Sequence, residues 1–374
     1  MDVERVDLKY VIGWNYYTMK FMGMWPEERK WNRPFSYLIL VPCLMMLCFV
    51  CAPQSSNLFV IWGDFNLVIE NLSLGNITIT ISLLKTIAFW INGRSLKSLL
   101  NCMAYDWETV TKKTDREVME NIGRFTRKTV IRSTLMCHAV VIIYVSTRYF
   151  VAKYTEKGLL FRSYFPYNTD VSPNYELTVF AQVVATFYAA GTYTAVDTFV
   201  AMLILHVCGQ LSNLRDELKT LQTYDKEAFA VKLGQIVRKH DYLNRFMLGC
   251  TAQLCFQCFQ AIMSLGVETK EYLILHIFFM LFYVIYVMLQ LYLYCYVGER
   301  LLIESIEMAN AAYDAEWYKL SPKNARLLII IICRSRLPLQ ITAGRFCSFT
   351  MMLYFQILKT SMGYVSVLYA TKNK

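Results

Sequence analysis

Apolar positions along this chain fall into long unbroken blocks, not into the alternation of half-buried strands. The first block runs from Tyr37 to Ala52, follows Arg33 and Pro34, and is expected to be closed by Pro53. Six more follow: Phe65 to Ile91, Val130 to Val151, Leu177 to Leu205, Phe246 to Val267, Tyr272 to Val297 and Phe346 to Ala370. Most reach the ~20 residues that a helix needs to cross the hydrocarbon. The pattern predicts an all-α membrane protein with seven transmembrane helices. The second block carries Asn71, Ser73, Asn76, Thr78, Thr80 and Lys85, so it is expected to face other helices and not lipid. Leu327 to Cys333 is too short to span and is stopped by Arg334, Arg336 and Pro338, which places it outside the membrane.

Segments between the blocks show helical periodicity. Leu211, Leu214, Leu218 and Leu221 recur among Arg215, Asp216, Glu217 and Lys219, and Leu233, Ile236, Val237, His240 and Leu243 repeat the pattern on the way back. Leu302, Ile306, Ala309 and Tyr313 form a similar face, and Ser321 before Pro322 marks a helix start. Near the N-terminus, Tyr10, Trp14, Tyr17 and Phe21 lie at helical spacing among Lys9, Lys20, Arg29 and Lys30, which suits either a helix in the membrane interface or packing onto the bundle. Asp2, Glu4 and Asp7, with no short apolar core behind them, argue against a signal peptide.

Composition agrees with the pattern. The 374 residues are 56% apolar and 18% charged, against about 45–50% and about 25% in soluble globular chains. Disorder is excluded and an ordinary soluble enzyme disfavoured. The net charge of +10 would raise the question of nucleic acid in a soluble protein, but here its placement matters more than its sum, and no nucleic-acid partner is expected. Residues 1–35, 94–128, 207–245 and 300–345 hold 28 of the 38 Lys and Arg residues, and the alternate segments hold seven. Basic loops stay in the cytoplasm, so the N-terminus is expected inside and the C-terminus outside. The resulting plan is a cytoplasmic or interfacial segment 1–35, a seven-helix domain 36–370 with intracellular helical extensions at 207–245 and 300–344 forming an anchor region, and a short extracellular tail 371–374. The twelve cysteines all fall in spans or near the cytoplasmic side, which leaves no disulfide framework outside. Asn71 and Asn76 match the glycosylation triplet but fall in the second span.

Catalytic signatures are missing from the sequence. It has no phosphate-binding glycine loop, no H-E-x-x-H and no G-x-S-x-G, and His138, His206, His240 and His276 are scattered. Cys255 and Cys258 form a lone C-x-x-C inside an apolar span, which reads as packing. No enzyme activity, metal or cofactor is expected. Two ionisable residues lie inside spans near their inner ends, Lys85 and Asp197. They are expected either to pair, joining the second and fourth helices, or to snorkel separately. Tyr144, Tyr149, Tyr188, Phe278, Phe279, Phe282 and Tyr283 lie in spans with small neighbours such as Ala189, Gly191 and Thr192. Such a set can line a pocket for a small, oily ligand or simply form an aromatic core.

The C-terminal third carries recognisable elements: Cys295 with Gly298 and Glu299, Tyr313 and Trp317 four apart, Pro338 and Leu339 before Thr342 and Ala343, and Leu358 to Ser361 followed by Tyr364. With the stretch Phe161 to Leu177 and the seven-span layout, these resemble the insect odorant receptor family. The resemblance implies an odorant-sensing subunit of a ligand-gated, non-selective cation channel, assembled with the olfactory co-receptor (Orco) as a heterotetramer in the plasma membrane of sensory dendrites. The chain lacks the co-receptor's long insertion between the fourth and fifth spans, which makes it similar to a tuning subunit. By similarity, Val367 is the hydrophobic gate of the pore with Ala370 at its outer side, an apolar ring able to block ions by dewetting. Lys359 is expected at a subunit contact or vestibule, and Trp317 to Arg336 at the tetramer anchor. A small volatile would bind in the outer half of the second, third, fourth and sixth spans. Helical spacing there selects Ser73, Ile77, Ile142, Val145, Tyr149, Tyr188, Thr192, Phe279, Phe282 and Tyr283. A gustatory receptor-type channel is the near alternative, and a G-protein-coupled receptor, with its N-terminus outside, a more distant one.

Overall fold

The computed structural model describes residues 7–27, 37–63, 67–68, 71–154, 158–219, 231, 233, 235–238, 273–315, 318, 322–343 and 347–360. The predicted fifth span, Trp317, Ser321, and the outer part of the seventh span with Val367 and Ala370 lie outside the described residues. The described elements are α1 (Leu8–Phe21), α2 (Leu40–Val60), α3 (Ile77–Ile91), α4 (Gly93–Thr109), α5 (Lys113–Tyr154), α6 (Asn174–Lys219), α7 (Leu273–Asp314) and α8 (Pro322–Ser335). A two-residue antiparallel pairing, β1 (Thr342–Ala343) with β2 (Cys347–Ser348), and helical residues 351–360 follow.

Four of these helices are long and apolar enough to cross a membrane: α2, most of α5, α6 and the Leu281–Asp314 part of α7. Ile77–Ile91 is apolar but shorter, and the π-helical turn Leu72–Asn76 leads into it. Helix α6 has 46 residues and α5 and α7 have 42 each, so at 1.5 Å per residue they run about 63–69 Å, twice the hydrocarbon thickness. The periodic segments around Leu211–Leu218 and Leu302–Tyr313 are therefore continuations of α6 and α7.

Helix α6 is the axis of the bundle and packs against α1, α2, α3, α5 and α7. Its sequence explains why: Ala181, Ala185, Ala189, Ala190, Gly191 and Ala195 are all buried and let neighbouring backbones approach closely. Its threonines return their hydroxyls to the preceding turn, Thr186 to Gln182 O (2.7 Å), Thr192 to Tyr188 O (2.9 Å) and Thr198 to Thr194 O (2.8 Å), so they are buried without unmet polar groups.

Two apolar clusters result. One, at the pocket end, joins Met46, Val50, Ile79, Leu83, Val140, Tyr144, Phe161 and Phe279. The other runs to the far end, where Leu211, Leu214 and Leu218 of α6 meet Leu233, Ile236, Met308, Ala311, Leu328 and Ile331. There Arg215 Nη1 reaches Glu304 Oε2 at 2.9 Å, tying α6 to α7. Helix α1 buries Val11, Asn15 and Met19 against this body, with Asn15 Oδ1 2.9 Å from the Thr198 hydroxyl. Tyr17 and Phe21, on its other side, are exposed.

Two expected boundaries differ. Pro53 does not end the first span: α2 continues to Val60, because a π-helical turn, Leu47–Cys51, precedes it and Pro53 stands in the first turn of the segment that follows, where no N–H is needed. The described part of the seventh block does not begin as helix: Cys347 and Ser348 form a strand. The β1–β2 pairing comes first, extended by Phe349 N donating to Ile341 O at 2.8 Å. The next helix is started by Thr350, whose hydroxyl accepts from Leu353 N (3.3 Å), and by Glu299 of α7, whose carboxylate accepts from Met351 N (3.1 Å). Gly298 lies so close to the Phe349 carbonyl that a Cβ there would collide with it.

Candidate functional site

A cavity of about 120 Å³ lies between α3, α5, α6 and α7. Each helix supplies positions at helical spacing: Thr78, Ile79 and Ser82 from α3; Cys137, Val140, Val141 and Tyr144 from α5; Thr186, Ala189, Ala190 and Tyr193 from α6; and Phe279, Tyr283, Tyr286, Val287 and Gln290 from α7. Phe161, from the loop before α6, completes the lining. Its ring stacks on Tyr144 (centroids 5.5 Å apart), and Tyr144 also meets Phe279 (5.1 Å), which meets Tyr283 (5.8 Å).

The loop is held over the cavity by polar contacts made from inside the bundle. Gln182 Oε1 accepts from Phe161 N (3.2 Å), and its Nε2 donates to Ser163 Oγ (3.2 Å) and Phe49 O (3.3 Å). Tyr144 OH donates to Leu160 O (3.2 Å) and Arg148 to Leu159 O (3.1 Å). An apolar loop residue is thus fixed as the roof of the cavity.

Below the cavity lies a buried polar network. Lys85 Nζ is 3.0 Å from Asp197 Oδ1, with the two side chains 1% and 0% exposed. Gln290 Nε2 donates to Asp197 Oδ2 (3.0 Å) and to Tyr294 OH (3.2 Å), and Gln290 Oε1 accepts from Ser133 (3.2 Å). Lys85 Nζ also stands 3.6 Å from the centre of the Tyr193 ring. All four cavity helices are joined there, and the two opposite charges leave the cavity neutral overall. The arrangement suits an uncharged apolar molecule with few polar atoms. Among the described residues no group of acidic, His or Cys side chains could hold a metal ion.

Of the residues chosen from helical spacing, Phe279 and Tyr283 line this cavity. The others do not. Ile77 is half-buried beside Thr78 and Ile79, which do line it. Ile142 and Tyr149 point outward, 53% and 66% exposed, and Val145 and Phe282 pack behind the wall. Tyr188 is half-buried in the other cluster, and Thr192 is buried with its hydroxyl 2.8 Å from that of Ser82. The side chain of Ser73 lies outside the described residues. Sequence reasoning missed Phe161, Tyr286 and Gln290; the apolar triplet Leu159 to Phe161 inside a loop was the available signal for the first. Asn71 and Asn76 are buried, with Asn71 donating to Arg162 O at 3.3 Å.

Odorant receptor 10 of Aedes albopictus is 20% identical over 345 residues, which cover 89% of this chain and 91% of that one. Odorant receptor Or2 of Anopheles gambiae is 22% identical over 337 residues, 84% and 87% of the two chains. The same fold occurs in the olfactory receptor OR5 of Machilis hrabei, with a TM-score of 0.84, 16% identity and coverage of 96% of this chain and 99% of that one. Its complex with eugenol gives 0.83, 15%, 97% and 100%. The 7tm odorant receptor family profile matches residues 64–362, most of the sequence and every wall of the cavity, and the chain belongs to that family.

Proposed function

We propose that this chain is the odorant-sensing subunit of a ligand-gated, non-selective cation channel, and that a small volatile binds in the cavity between α3, α5, α6 and α7. The observation that carries the reading is the aromatic-lined cavity between four helices of the membrane-spanning part of an odorant receptor family member. The solved OR5 relative that shares this fold was captured with eugenol, a small aromatic molecule. Ligand opens the channel only if it binds the open arrangement more tightly than the closed one.

The partner in this reading is the olfactory co-receptor, with which the chain forms a heterotetramer in the plasma membrane of olfactory dendrites. The seventh span walls the central pore, with Val367 as its apolar constriction and Ala370 outside it. Helix α8 and its neighbours form the cytoplasmic anchor. Support comes from the distribution of basic residues, which puts the Arg215–Glu304 end inside, and from the exposed apolar side chains of Ile329 and Ile330 on α8, which a second subunit would cover. Co-expression with the co-receptor in oocytes, followed by a screen of small volatiles, tests the whole reading. Currents from the pair and none from this chain alone are expected; odorant currents without the co-receptor, or G-protein signalling without current, would refute it.

A further inference from the structure

The hydroxyl of Tyr286 is a polar group of the cavity wall that lacks a strong partner. Tyr286 is 9% exposed, lines the cavity, and its OH meets no oxygen or nitrogen partner among the described residues. Its hydrogen-bonding neighbour is the Cys137 sulfur, a weak acceptor whose own proton is directed at Ala190 O (3.8 Å). Three other polar residues of the wall, Ser82, Thr186 and Gln290, are engaged. Ser82 donates to Ala189 O (2.9 Å), Thr186 to Gln182 O, and both ends of the Gln290 amide are taken. A buried donor left unmet is costly, and a ligand that supplies an acceptor recovers the loss.

The geometry points to a neutral ligand of one ring or an equally small chain carrying an acceptor-only oxygen, an aldehyde, ketone or ester carbonyl, taken up by the Tyr286 hydroxyl. This rests on the reading of the cavity as the odorant site. The size follows from the volume of about 120 Å³, slightly below the engineered cavity of ~150 Å³ that binds benzene. Neutrality follows because Lys85 and Asp197 already satisfy one another beneath the floor. Preference for a carbonyl over an alcohol follows from counting hydrogens. One phenol and one alcohol make a single bond between them and leave a second O–H with no acceptor, whereas a phenol and a carbonyl leave none.

The test uses isosteric pairs on the receptor co-expressed with its co-receptor: cyclopentanone against methylenecyclopentane, and benzaldehyde against styrene and benzyl alcohol. Carbonyl compounds are expected to be about tenfold more potent than their hydrocarbon isosteres, the weight of one buried hydrogen bond. Tyr286→Phe should raise the half-maximal concentration for the carbonyl compounds about tenfold and leave the hydrocarbons unchanged, so their responses also report a folded, conducting channel. Equal potency within pairs, a preference that survives Tyr286→Phe, or a receptor that answers to no small carbonyl compound would each overturn the assignment. Filling the cavity separates this from the broader reading. Ala190→Trp, or the milder Val140→Phe, should abolish responses to every agonist while surface labelling persists. Unchanged responses in both variants would show that ligand sits elsewhere, and the reading of the site itself would fall.

Discussion

The buried pair Lys85–Asp197 gives the sharpest test of how the bundle is held together. At 3.0 Å the attraction is about 5 kcal/mol at an effective dielectric near 20, but stripping water from each ion costs several kcal/mol, so the intact pair contributes little on balance. Breaking it is another matter. Lys85→Met leaves the buried Asp197 carboxylate with Gln290 and Tyr294 as hydrogen-bond donors but no counter-charge, and should cost about 3–5 kcal/mol. Asp197→Asn keeps an acceptor for Gln290, and it leaves the ammonium on the Tyr193 ring, a contact worth up to ~2 kcal/mol when desolvated, so its cost should be smaller. The double variant Lys85→Met/Asp197→Asn removes both charges and should regain most of the loss. The charge swap Lys85→Asp/Asp197→Lys should regain less, because Gln290 must turn its amide over and disturb the Ser133 contact. Heating the solubilised receptor complex and following the intact fraction by fluorescence-detected size exclusion should show the apparent melting temperature of Lys85→Met lowered by roughly 5–10 °C, with surface expression falling in the same order. The reasoning fails if Lys85→Met melts like the wild type, or if the double variant is no better than Lys85→Met.

Phe279→Ala removes a ring that touches Tyr144 and Tyr283 and should cost about 3–5 kcal/mol of stability while shifting agonist preference toward bulkier molecules, read from dose–response curves over a size series. Gly298→Ala should lower surface expression strongly, since the new methyl meets the backbone carbonyl of Phe349 and not a movable side-chain end; overpacking of this kind costs about 1–3 kcal/mol. Arg215→Ala should be milder, about 1–2 kcal/mol by the same melting assay, because Arg300 (3.5 Å) still faces Glu304. An N-terminal epitope tag should be labelled only after permeabilisation and a C-terminal tag on intact cells, and the reverse pattern would overturn the orientation.

Block lengths and hydropathy carried the helical, membrane-spanning architecture in the sequence, because a span must be apolar over its whole length whatever it packs against. Rotation of each helix about its axis was far less legible. On α5 the cavity takes Cys137, Val140, Val141 and Tyr144, whereas helical spacing had selected Ile142, Val145 and Tyr149, a face turned by one position. In a soluble helix the polar face would have fixed that rotation; in a span, outward-facing Ile142 and cavity-facing Val141 are chemically alike, so hydropathy gives no phase. Phase came through only where polarity or bulk broke the symmetry. Lys85 and Asp197 cannot face lipid, so their helices must turn these positions inward, and the structure puts them 3.0 Å apart. Tyr283 and Phe279, one turn apart on α7, follow from the same turn that places Gln290 on the network, since 279, 283, 286 and 290 form one helical stripe. Continuing a stripe from a buried polar anchor therefore places a span's inner face better than choosing its aromatics, and applied here it leads from Gln290 to Tyr286, the residue whose hydroxyl lacks a strong partner in the cavity wall.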